Sequence, residues 1–253
     1  MSGSWRSYLQ RSAEHLRSRT NQVLRASPVP ETRTVLPLVE LKKPEDLQQF
    51  ALGCDEDLGG KSTVHLDLGP EGKGRLWGKL SSELQAGRRK EGVIERGGYA
   101  GFRTKQRTTM FGAQTWDTSL HDYLRLRVRS SGDGMRYFVN IQTDGPVRSD
   151  LFQHRLWLPS PVTPDAPHEF TNVLIPFSDF TLTNSGDLSE KQIEMMRTRI
   201  RTVGISVLGP KEGRYELGIE SIDAVSSDLA LEEQEHQRER AAAAAASARG
   251  TTS

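Results

Sequence analysis

A loop with the sequence CDEDLGGKSTVHLDL, residues 54–68, concentrates side chains that could bind a charged ligand. Its Gly60-Lys61-Ser62 tripeptide resembles the end of a phosphate-binding loop, in which backbone amides and a lysine hold phosphate groups. That motif requires a glycine five residues before Gly60, where this chain has Asp55, and a helix after the loop. The residues that follow alternate between apolar and polar, which is typical of a strand. The spacing and the misplaced carboxylate exclude a nucleotide site.

The same loop carries Asp55 and Asp57 at the spacing of the first two calcium ligands of an EF-hand. Gly59 stands at the third ligand position and Leu66 replaces the bidentate glutamate, so an EF-hand is excluded. The two carboxylates either bind an isolated structural calcium with backbone carbonyls, or accept hydrogen bonds from local amides while glycines supply positive φ. We expect the second arrangement and no metal, because a third oxygen ligand is not evident.

Histidine and cysteine spacing gives no catalytic or zinc-binding pattern. No two of the histidines are three or four residues apart, and a G-x-S-x-G elbow is absent. The single cysteine, Cys54, excludes an internal disulfide, and as a nucleophile it would need His65 or His121 brought close by the fold. A lone cysteine beside a turn is more typical of a packed side chain. We expect a protein without enzymatic activity and without a cofactor.

Alternating arginines favour a binding function instead. Arg125, Arg127 and Arg129 all point away from the apolar face of one predicted strand. Arg136 opens the next predicted strand and would join them if the two strands were neighbours. These four candidates would form a basic sheet face that meets an acidic protein loop or lipid headgroups. The alternative is a solvated face whose charges pair with acids elsewhere in the fold.

Three tryptophans, Trp77, Trp116 and Trp157, raise a second binding hypothesis. Tryptophan rings of this kind line the sugar-stacking grooves of carbohydrate modules. In β-sandwiches, however, tryptophan is more often a core residue. The alternative function is therefore a carbohydrate-binding-like module that recognises a glycan or another small ligand.

Short alternating segments must position these candidates. Apolar and polar side chains alternate in TVHLDL, YLRLRVR and RYFVNIQ, and turn signals such as GDG and DGP separate the segments. One helix is predicted near residues 189–200, where Ser189 and Gln192 have capping-box spacing. Many short strands with little helix between them predict an all-β fold, an antiparallel β-sandwich or jelly roll with short flanking helices.

The N-terminal residues 1–30 differ in composition, with five arginines, one acid and many serines. Their apolar side chains fall on one helical stripe, and most of the arginines lie off it. A mitochondrial transit peptide, a helix on an anionic membrane surface and an ordinary packed helix all share this pattern. The candidates for membrane contact are Trp5, Leu9, Leu16, Arg6 and Arg17.

The C-terminal tail is charged and then nearly pure alanine, which predicts a solvated helix with little apolar surface to dock. We therefore divide the chain into three parts. Residues 1–34 form an Arg-rich amphipathic helix and a Pro-containing linker, residues 35–228 form the jelly-roll domain, and residues 229–253 form the helical tail.

Composition limits the class of protein further. The chain has 253 residues and a net charge of +1, from 34 basic and 33 acidic residues, so overall charge gives no argument for a nucleic-acid partner. No apolar run approaches the ~18 residues of a membrane span. The sequence is typical of a globular protein.

Several blocks of the sequence together resemble the complex I intermediate-associated protein family. These blocks are DEDLGGKSTVHL, GRLWGKLSSEL, GGYAGFRTK, DYLRLRVRSSGDGMRYFVNIQTD, HEFTNVLIPFSDF and VGISVLGPKEGRYELGIESI. They follow in the family's order over about residues 40–225, and such agreement is more specific than any single motif. The opening loop is thus a family landmark, marked by Asp55, Asp57, Gly59, Gly60 and Ser62.

The resemblance implies a galactose-binding-like jelly roll related to carbohydrate-binding modules. It also implies a non-enzymatic assembly factor, or chaperone, for mitochondrial respiratory complex I that binds membrane-arm assembly intermediates. Its implied location is the mitochondrial matrix, peripheral on the inner membrane. Its implied partners are complex I subunits, other assembly factors and the inner-membrane lipid surface, with cardiolipin as one candidate lipid. The long alanine-rich tail departs from the family's pattern.

Overall fold

The computed structural model describes residues 34–83, 97–109, 112–158, 169–184 and 186–250, together with Ala13. Within these residues the alternating segments form fifteen β-strands, all paired antiparallel. Two sheets contain thirteen of the strands, and a small hairpin contains the other two.

The first sheet, sheet I, has six strands. They are β1 (Val35–Glu40), β3 (Thr63–Leu68), β4 (Gly74–Leu80), β8 (Tyr123–Ser130), β11 (Thr171–Pro176) and β15 (Gly213–Val225). Their spatial order is β11-β8-β15-β4-β3, with β1 also beside β15. Because β15 is 13 residues long, its first half pairs with β4 and its second half with β1.

The second sheet, sheet II, has seven strands. They are β2 (Phe50–Cys54), β5 (Tyr99–Thr104), β9 (Arg136–Thr143), β10 (Asp150–Leu156), β12 (Thr181–Asn184), β13 (Asp187–Leu188) and β14 (Ile200–Leu208). Their spatial order is β13-β12-β10-β9-β14-β5-β2. The hairpin consists of β6 (Arg107–Thr109) and β7 (Gly112–Gln114). Short 3₁₀ turns span Pro44–Gln49, Asp55–Leu58, Phe177–Asp179 and Arg197–Arg199.

The inward side chains of the two sheets form one hydrophobic core. Leu76 and Leu126 come from sheet I, and Val139, Ile141 and Ile205 come from sheet II, and all five are completely buried. Burial of each such side chain contributes about 1.5–3 kcal/mol. Because side chains alternate along a strand, each sheet presents its polar positions on the opposite, outward face. The predicted all-β antiparallel sandwich is confirmed.

The helix predicted near residues 189–200 is wrong. This segment is irregular and ends in the 3₁₀ turn Arg197–Arg199. The Gln192 side chain does not cap a helix, because its Oε1 accepts the Leu182 N–H at 2.8 Å and its Nε2 donates to the Leu182 carbonyl at 3.0 Å. Gln192 also donates from its Nε2 to the Ser189 carbonyl at 2.8 Å, so the two residues are in contact but hold the segment against strand β12 instead of capping a helix.

The C-terminal tail forms a long helix, α1 (Ser227–Gly250). Its first part docks through polar contacts, since the Ser227 hydroxyl donates to Asp122 Oδ2 at 2.6 Å and Gln237 Nε2 donates to the Asn172 carbonyl at 2.9 Å. Glu233 also accepts a hydrogen bond from the Asn172 side chain. The predicted helix is present, but it is 24 residues long and its start lies against strand β11. In the part of the chain that the structure describes, no helix has the length and apolar content needed to cross a membrane.

Candidate functional site

The loop between β2 and β3 is organised by the Asp55 carboxylate, which is 1% exposed. Its Oδ1 accepts the Ser62 backbone N–H at 2.9 Å, and its Oδ2 accepts the Ser62 hydroxyl at 3.0 Å. The same Oδ2 accepts the backbone N–H groups of Gly98 at 2.5 Å and Tyr99 at 3.3 Å. The Ser62 hydroxyl oxygen accepts the Ser81 N–H at 3.0 Å. Since Ser62 and Ser81 adjoin sheet I and Gly98 and Tyr99 adjoin sheet II, this carboxylate joins the ends of both sheets.

Two glycines let the loop close around this carboxylate. Gly59 has a φ of 97°, in the left-handed region that favours glycine. A Cβ on Gly60 would lie 2.3 Å from Asp55 Cγ, so only glycine fits there. Asp55 thus accepts hydrogen bonds from amides, as expected, whereas the Asp57 side chain lies outside the described residues. Over those described residues, no group of three or more His, Cys, Asp or Glu side chains is placed to hold a metal ion.

The arginines of β8 lie on the outward face of sheet I, and each one pairs with a carboxylate. Arg125 contacts Asp223 at 3.1 Å and Glu233 of helix α1 at 3.6 Å. Arg127 Nε lies 2.9 Å from Glu220 Oε2. Arg129 Nη1 lies 2.5 Å from Glu71 Oε1. These are the pairs that the alternative interpretation of the basic face required.

Further contacts occupy the same face of sheet I. Glu220 also accepts from Lys73 at 2.7 Å. Burial raises the pKa of Glu220, but the hydrogen bonds from Lys73 and Arg127 outweigh it and hold this pKa below its usual value. The Phe170 ring lies 4.3 Å from Lys73 Nζ and 5.0 Å from the Arg129 guanidinium. The positive charge of sheet I is therefore largely neutralised within the protein.

Arg136 does not join the β8 arginines. It is the first residue of β9, which belongs to sheet II, because the chain crosses between the sheets after β8 instead of forming a hairpin. The prediction that Arg136 shares a sheet face with Arg125, Arg127 and Arg129 is wrong.

The outward face of sheet II carries arginines without acids. Strand register places Arg103 of β5, Arg136 of β9 and Arg155 of β10 on this side. No aspartate or glutamate occupies an outward position on the strands of sheet II. Within the described ranges, none of the three arginines forms an ion pair. We call this surface, defined by Arg103, Arg136 and Arg155, the arginine face.

A row of hydrogen-bonded side chains crosses four strands of the arginine face. The Thr183 hydroxyl donates to Gln153 Oε1 at 3.1 Å, and Gln153 Nε2 donates to Asn140 Oδ1 at 2.8 Å. Asn140 Nδ2 donates in turn to the Ser206 hydroxyl at 2.8 Å. These bonds fix the orientation of neutral polar groups beside the arginines.

The row ends at a groove with a volume of about 440 Å³. Beyond Ser206, the register continues to Gly101 and then Gly53, so the floor of the groove consists of backbone. Tyr99, which is 44% exposed, and Arg103 line the groove beside the glycines. Burial raises the pKa of the Tyr99 hydroxyl, and the Arg103 charge offsets only part of that effect. The site is a cationic groove with one neutral phenol at its side.

The family model for complex I intermediate-associated protein 30 matches residues 39–219. A mitochondrial complex I intermediate-associated protein 30 from Neurospora crassa is 34% identical, over 88% of this chain and 84% of that protein. The Drosophila melanogaster protein of the same name is 32% identical, over 72% of this chain and 60% of that protein. The chain belongs to the complex I intermediate-associated protein 30 family.

Among solved structures, this family member is similar to a family 11 carbohydrate-binding module from Clostridium thermocellum in complex with a mixed-linked tetrasaccharide. The identity is 14% and the TM-score is 0.46, over 76% of this chain and 95% of that one. A second structure of a family 11 module, from the cellulase Lic26A-Cel5E, has a TM-score of 0.49 at 12% identity, over 77% of this chain and 95% of that one.

The tryptophans of this family member do not line a common groove. Trp77 lies on sheet I, where its ring stacks on His65 at 4.3 Å and its Nε1 donates to Asp67 at 2.8 Å. Trp116 lies under the Arg107 guanidinium at 3.5 Å, and Trp157, which is 63% exposed, lies just after β10. None of the three lines the groove beside Tyr99.

Of the remaining candidates, the histidines have other contacts and the membrane-contact residues are not described by the structure. His65 is stacked on Trp77, and His121 is buried between Asp122 and the segment of Arg197, so both histidines considered as partners of Cys54 have other surroundings. The membrane-contact candidates Trp5, Leu9, Leu16, Arg6 and Arg17 lie outside the described residues.

Sequence reasoning missed Arg103, Arg155 and Tyr99. The signal for them was the absence of acids from the outward positions of the segments YAGFRT, RYFVNIQT and DLFQHRL. All three segments fall within the part of the chain that matches the family model.

Proposed function

We propose that this protein is a non-enzymatic assembly factor of mitochondrial respiratory complex I and that the arginine face holds the assembly intermediate. The names of its relatives support the first part, since they refer to association with a complex I intermediate and to mitochondria. Arg103 and Arg155 support the second part, because both are exposed and neither forms an ion pair among the described residues. The Arg155 guanidinium does lie 3.9 Å from the Trp157 ring, but that contact leaves its charge available to an external anion.

The β8 arginines are weaker candidates for this contact. Arg125, Arg127 and Arg129 already hold carboxylates of the same chain, so a partner's acid would have to displace them. Exchange of one ion pair for another yields little net free energy. We therefore propose that sheet II makes the contact with membrane-arm subunits and other assembly factors.

The second element of the proposal is peripheral association with the matrix side of the inner membrane through residues 5–24. Trp5, Leu9 and Leu16 offer apolar area worth ~25 cal/mol per Å² removed from water, and Arg6 and Arg17 each add about 1 kcal/mol near an anionic leaflet. Liposome flotation with cardiolipin vesicles tests this element. The full chain should float and a chain without residues 1–30 should not; equal flotation of both contradicts it.

Deletion and complementation test the assembly function. Loss of the protein should deplete assembled complex I and leave a smaller membrane intermediate on native gels. Wild type should restore assembly, and the double variant Arg103→Gln, Arg155→Gln should restore it poorly, because it removes two exposed charges of the arginine face. The matched control is Lys79→Gln, Arg214→Gln, which removes two exposed charges from sheet I.

Normal complex I in the deletion strain would refute the assembly function itself. Full rescue by the Arg103→Gln, Arg155→Gln chain would refute only the assignment to the arginine face. Cross-linking mass spectrometry on mitochondria would then identify the contacting surface directly.

A second candidate function is recognition of a glycan or another small ligand. The observation that favours it is the exposed Tyr99 ring in a groove that also contains Asn140 and Gln142, since carbohydrate sites combine an aromatic face with amides. A glycan array decides between the two functions: a carbohydrate module binds at least one sugar with millimolar or better affinity.

A further inference from the structure

The groove of the arginine face is open above Gly53. A Cβ built on Gly53 meets no atom within 4 Å, and the residue does not have a left-handed backbone. By contrast, a Cβ on Gly101 would lie 2.7 Å from the Ile205 carbonyl oxygen. The backbone therefore leaves no room for a side chain at Gly101, whereas the groove is open above Gly53 in the edge strand β2.

The arginines of this face are spread across the sheet. Arg103 lies on β5 and Arg155 on β10, with β14 and β9 between them. Three strand spacings of ~4.8 Å, with an offset of two residues along the strands, separate their backbone positions by about 16 Å. An extended chain advances about 3.3 Å per residue, so it covers this distance in about five residues and can present a separate carboxylate to each arginine.

Neutral groups between the arginines suit a peptide backbone. The Gln142 side chain lines the groove, and its Nε2 donates to the Arg148 carbonyl at 2.6 Å. Gln153 and Asn140 are held in fixed orientations by the hydrogen-bonded row. Side-chain amides provide both donors and acceptors, which match the N–H and C=O groups of an extended segment.

We infer that the arginine face binds an extended acidic segment of a partner protein, laid across the strands of sheet II from the groove at Gly53 towards Arg155. Naming that partner as a complex I intermediate rests on the proposed function, but the chemistry of the ligand does not. Charge complementarity identifies the ligand, because arginine binds carboxylates through paired N–H groups. Arg75 illustrates the geometry in this chain, since its Nε and Nη2 each lie 2.9 Å from one oxygen of Asp67.

A membrane surface fits the arginine face less well than a chain segment. Lipid headgroups form a broad layer that would contact the rims of the groove, while the floor at Gly101 and Gly53 would stay out of reach. An extended segment enters the groove and also reaches the distant arginines.

The test measures binding of a fluorescent peptide of alternating glutamate and threonine to the purified full chain by anisotropy. Alternation in an extended peptide places all glutamates on one side. Wild type should bind this peptide, should bind it more weakly as salt is added, and should not bind a lysine–threonine peptide of the same length. Arg103→Gln and Arg155→Gln should each weaken binding about two- to fivefold.

Gly53→Leu provides a steric test that leaves every charge in place. The leucine side chain would fill the open space above β2 without meeting a neighbour at its Cβ, so the melting temperature should be unchanged. Binding of the acidic peptide should fall at least about tenfold, because the groove is blocked. The Lys79→Gln, Arg214→Gln control should bind the peptide like wild type.

Three outcomes overturn the inference. The first is no binding of the acidic peptide at low salt. The second is equal binding by wild type, Gly53→Leu and the arginine variants. The third combines two results: wild type does not bind the peptide, and the double variant Arg103→Gln, Arg155→Gln no longer binds cardiolipin–phosphatidylcholine vesicles. That combination would assign the arginine face to lipid. None of these results depends on complex I levels, so the assembly function stands or fails separately.

Discussion

Replacement of Asp55 by alanine should destabilise the whole domain, because this one carboxylate connects both sheets. It accepts four hydrogen bonds, two from Ser62 and one each from the N–H groups of Gly98 and Tyr99. The Asp55→Ala variant removes the acceptor for all four donors at a site that is 1% exposed. Water cannot replace the carboxylate there without rearrangement of the loop.

The expected loss follows from the number of donors left buried. Each buried donor without an acceptor costs about 1–3 kcal/mol, and bonds to a charged acceptor lie at the upper end. With partial relaxation of the loop, Asp55→Ala should lose about 3–5 kcal/mol, which is in the range reserved for broken buried networks. For a chain of this size, that loss lowers the melting temperature by about 6–20 °C.

Urea unfolding followed by tryptophan fluorescence measures this loss. Glu56→Ala is the matched control, since this neighbouring acid is exposed, and its variant should stay within about 0.5 kcal/mol of wild type. Ser62→Ala should fall between the two variants, because it removes only the hydroxyl contacts to Asp55 and Ser81. An Asp55→Ala protein within about 1 kcal/mol of wild type would refute the assigned role of the carboxylate.

Three further predictions concern other parts of the fold. Burial lowers the pKa of His121 more than its neighbouring acids raise it, so the free energy of unfolding should be constant above the unfolded pKa of about 6.5 and should fall as the pH drops towards the lower folded pKa. The His121→Asn variant should flatten this slope, measured as urea midpoints between about pH 7.5 and about pH 5.5. Burial lowers the pKa of Arg107 to about 10, and its Nε and Nη2 are buried without acceptors. The Arg107→Met variant should therefore have a stability within about 1 kcal/mol of wild type, or above it, although the contact with Trp116 is lost, and a loss above about 2 kcal/mol by thermal melting would contradict this. Glu233→Ala should cost about 0.5–1 kcal/mol by loosening helix α1 from sheet I, while the exposed Glu235→Ala should cost nothing measurable in the same melts.

Alternation in the sequence was sufficient to predict the sandwich, because inward positions such as Leu124, Leu126 and Val128 recur with period two and are all fully buried. The same reasoning failed at residues 189–200, where no such period exists. There a local capping signal was outweighed by the hydrogen bonds of Gln192 to Leu182, ten residues earlier in the chain. Local signals are reliable when the partner is local and fail when a distant strand supplies it.

The loop at Asp55 shows the same limit within the candidate site. Spacing alone excluded a phosphate loop and an EF-hand, and it predicted a carboxylate that bonds to amides. Two of those amides belong to Gly98 and Tyr99, 43 and 44 residues away, and no local pattern identifies them. The link extends to the groove, because Tyr99, whose backbone N–H Asp55 accepts, is one of the residues that line it.

The arginines give the sharpest case, because outward-facing arginines occur in both sheets and their surroundings are opposite. Arg125 of β8 lies opposite Asp223 of β15, a strand rich in outward acids, whereas Arg103 of β5 lies opposite Gly204 of β14, which has none. Whether an arginine is neutralised or remains available therefore depends on which strand becomes its neighbour, and strand order is a property of the whole fold. Alternating arginines in a sequence predict a binding face only when the acidic residues on the neighbouring strands are also known. In this protein, the acids on the neighbouring strands move the expected contact from sheet I to the arginine face of sheet II.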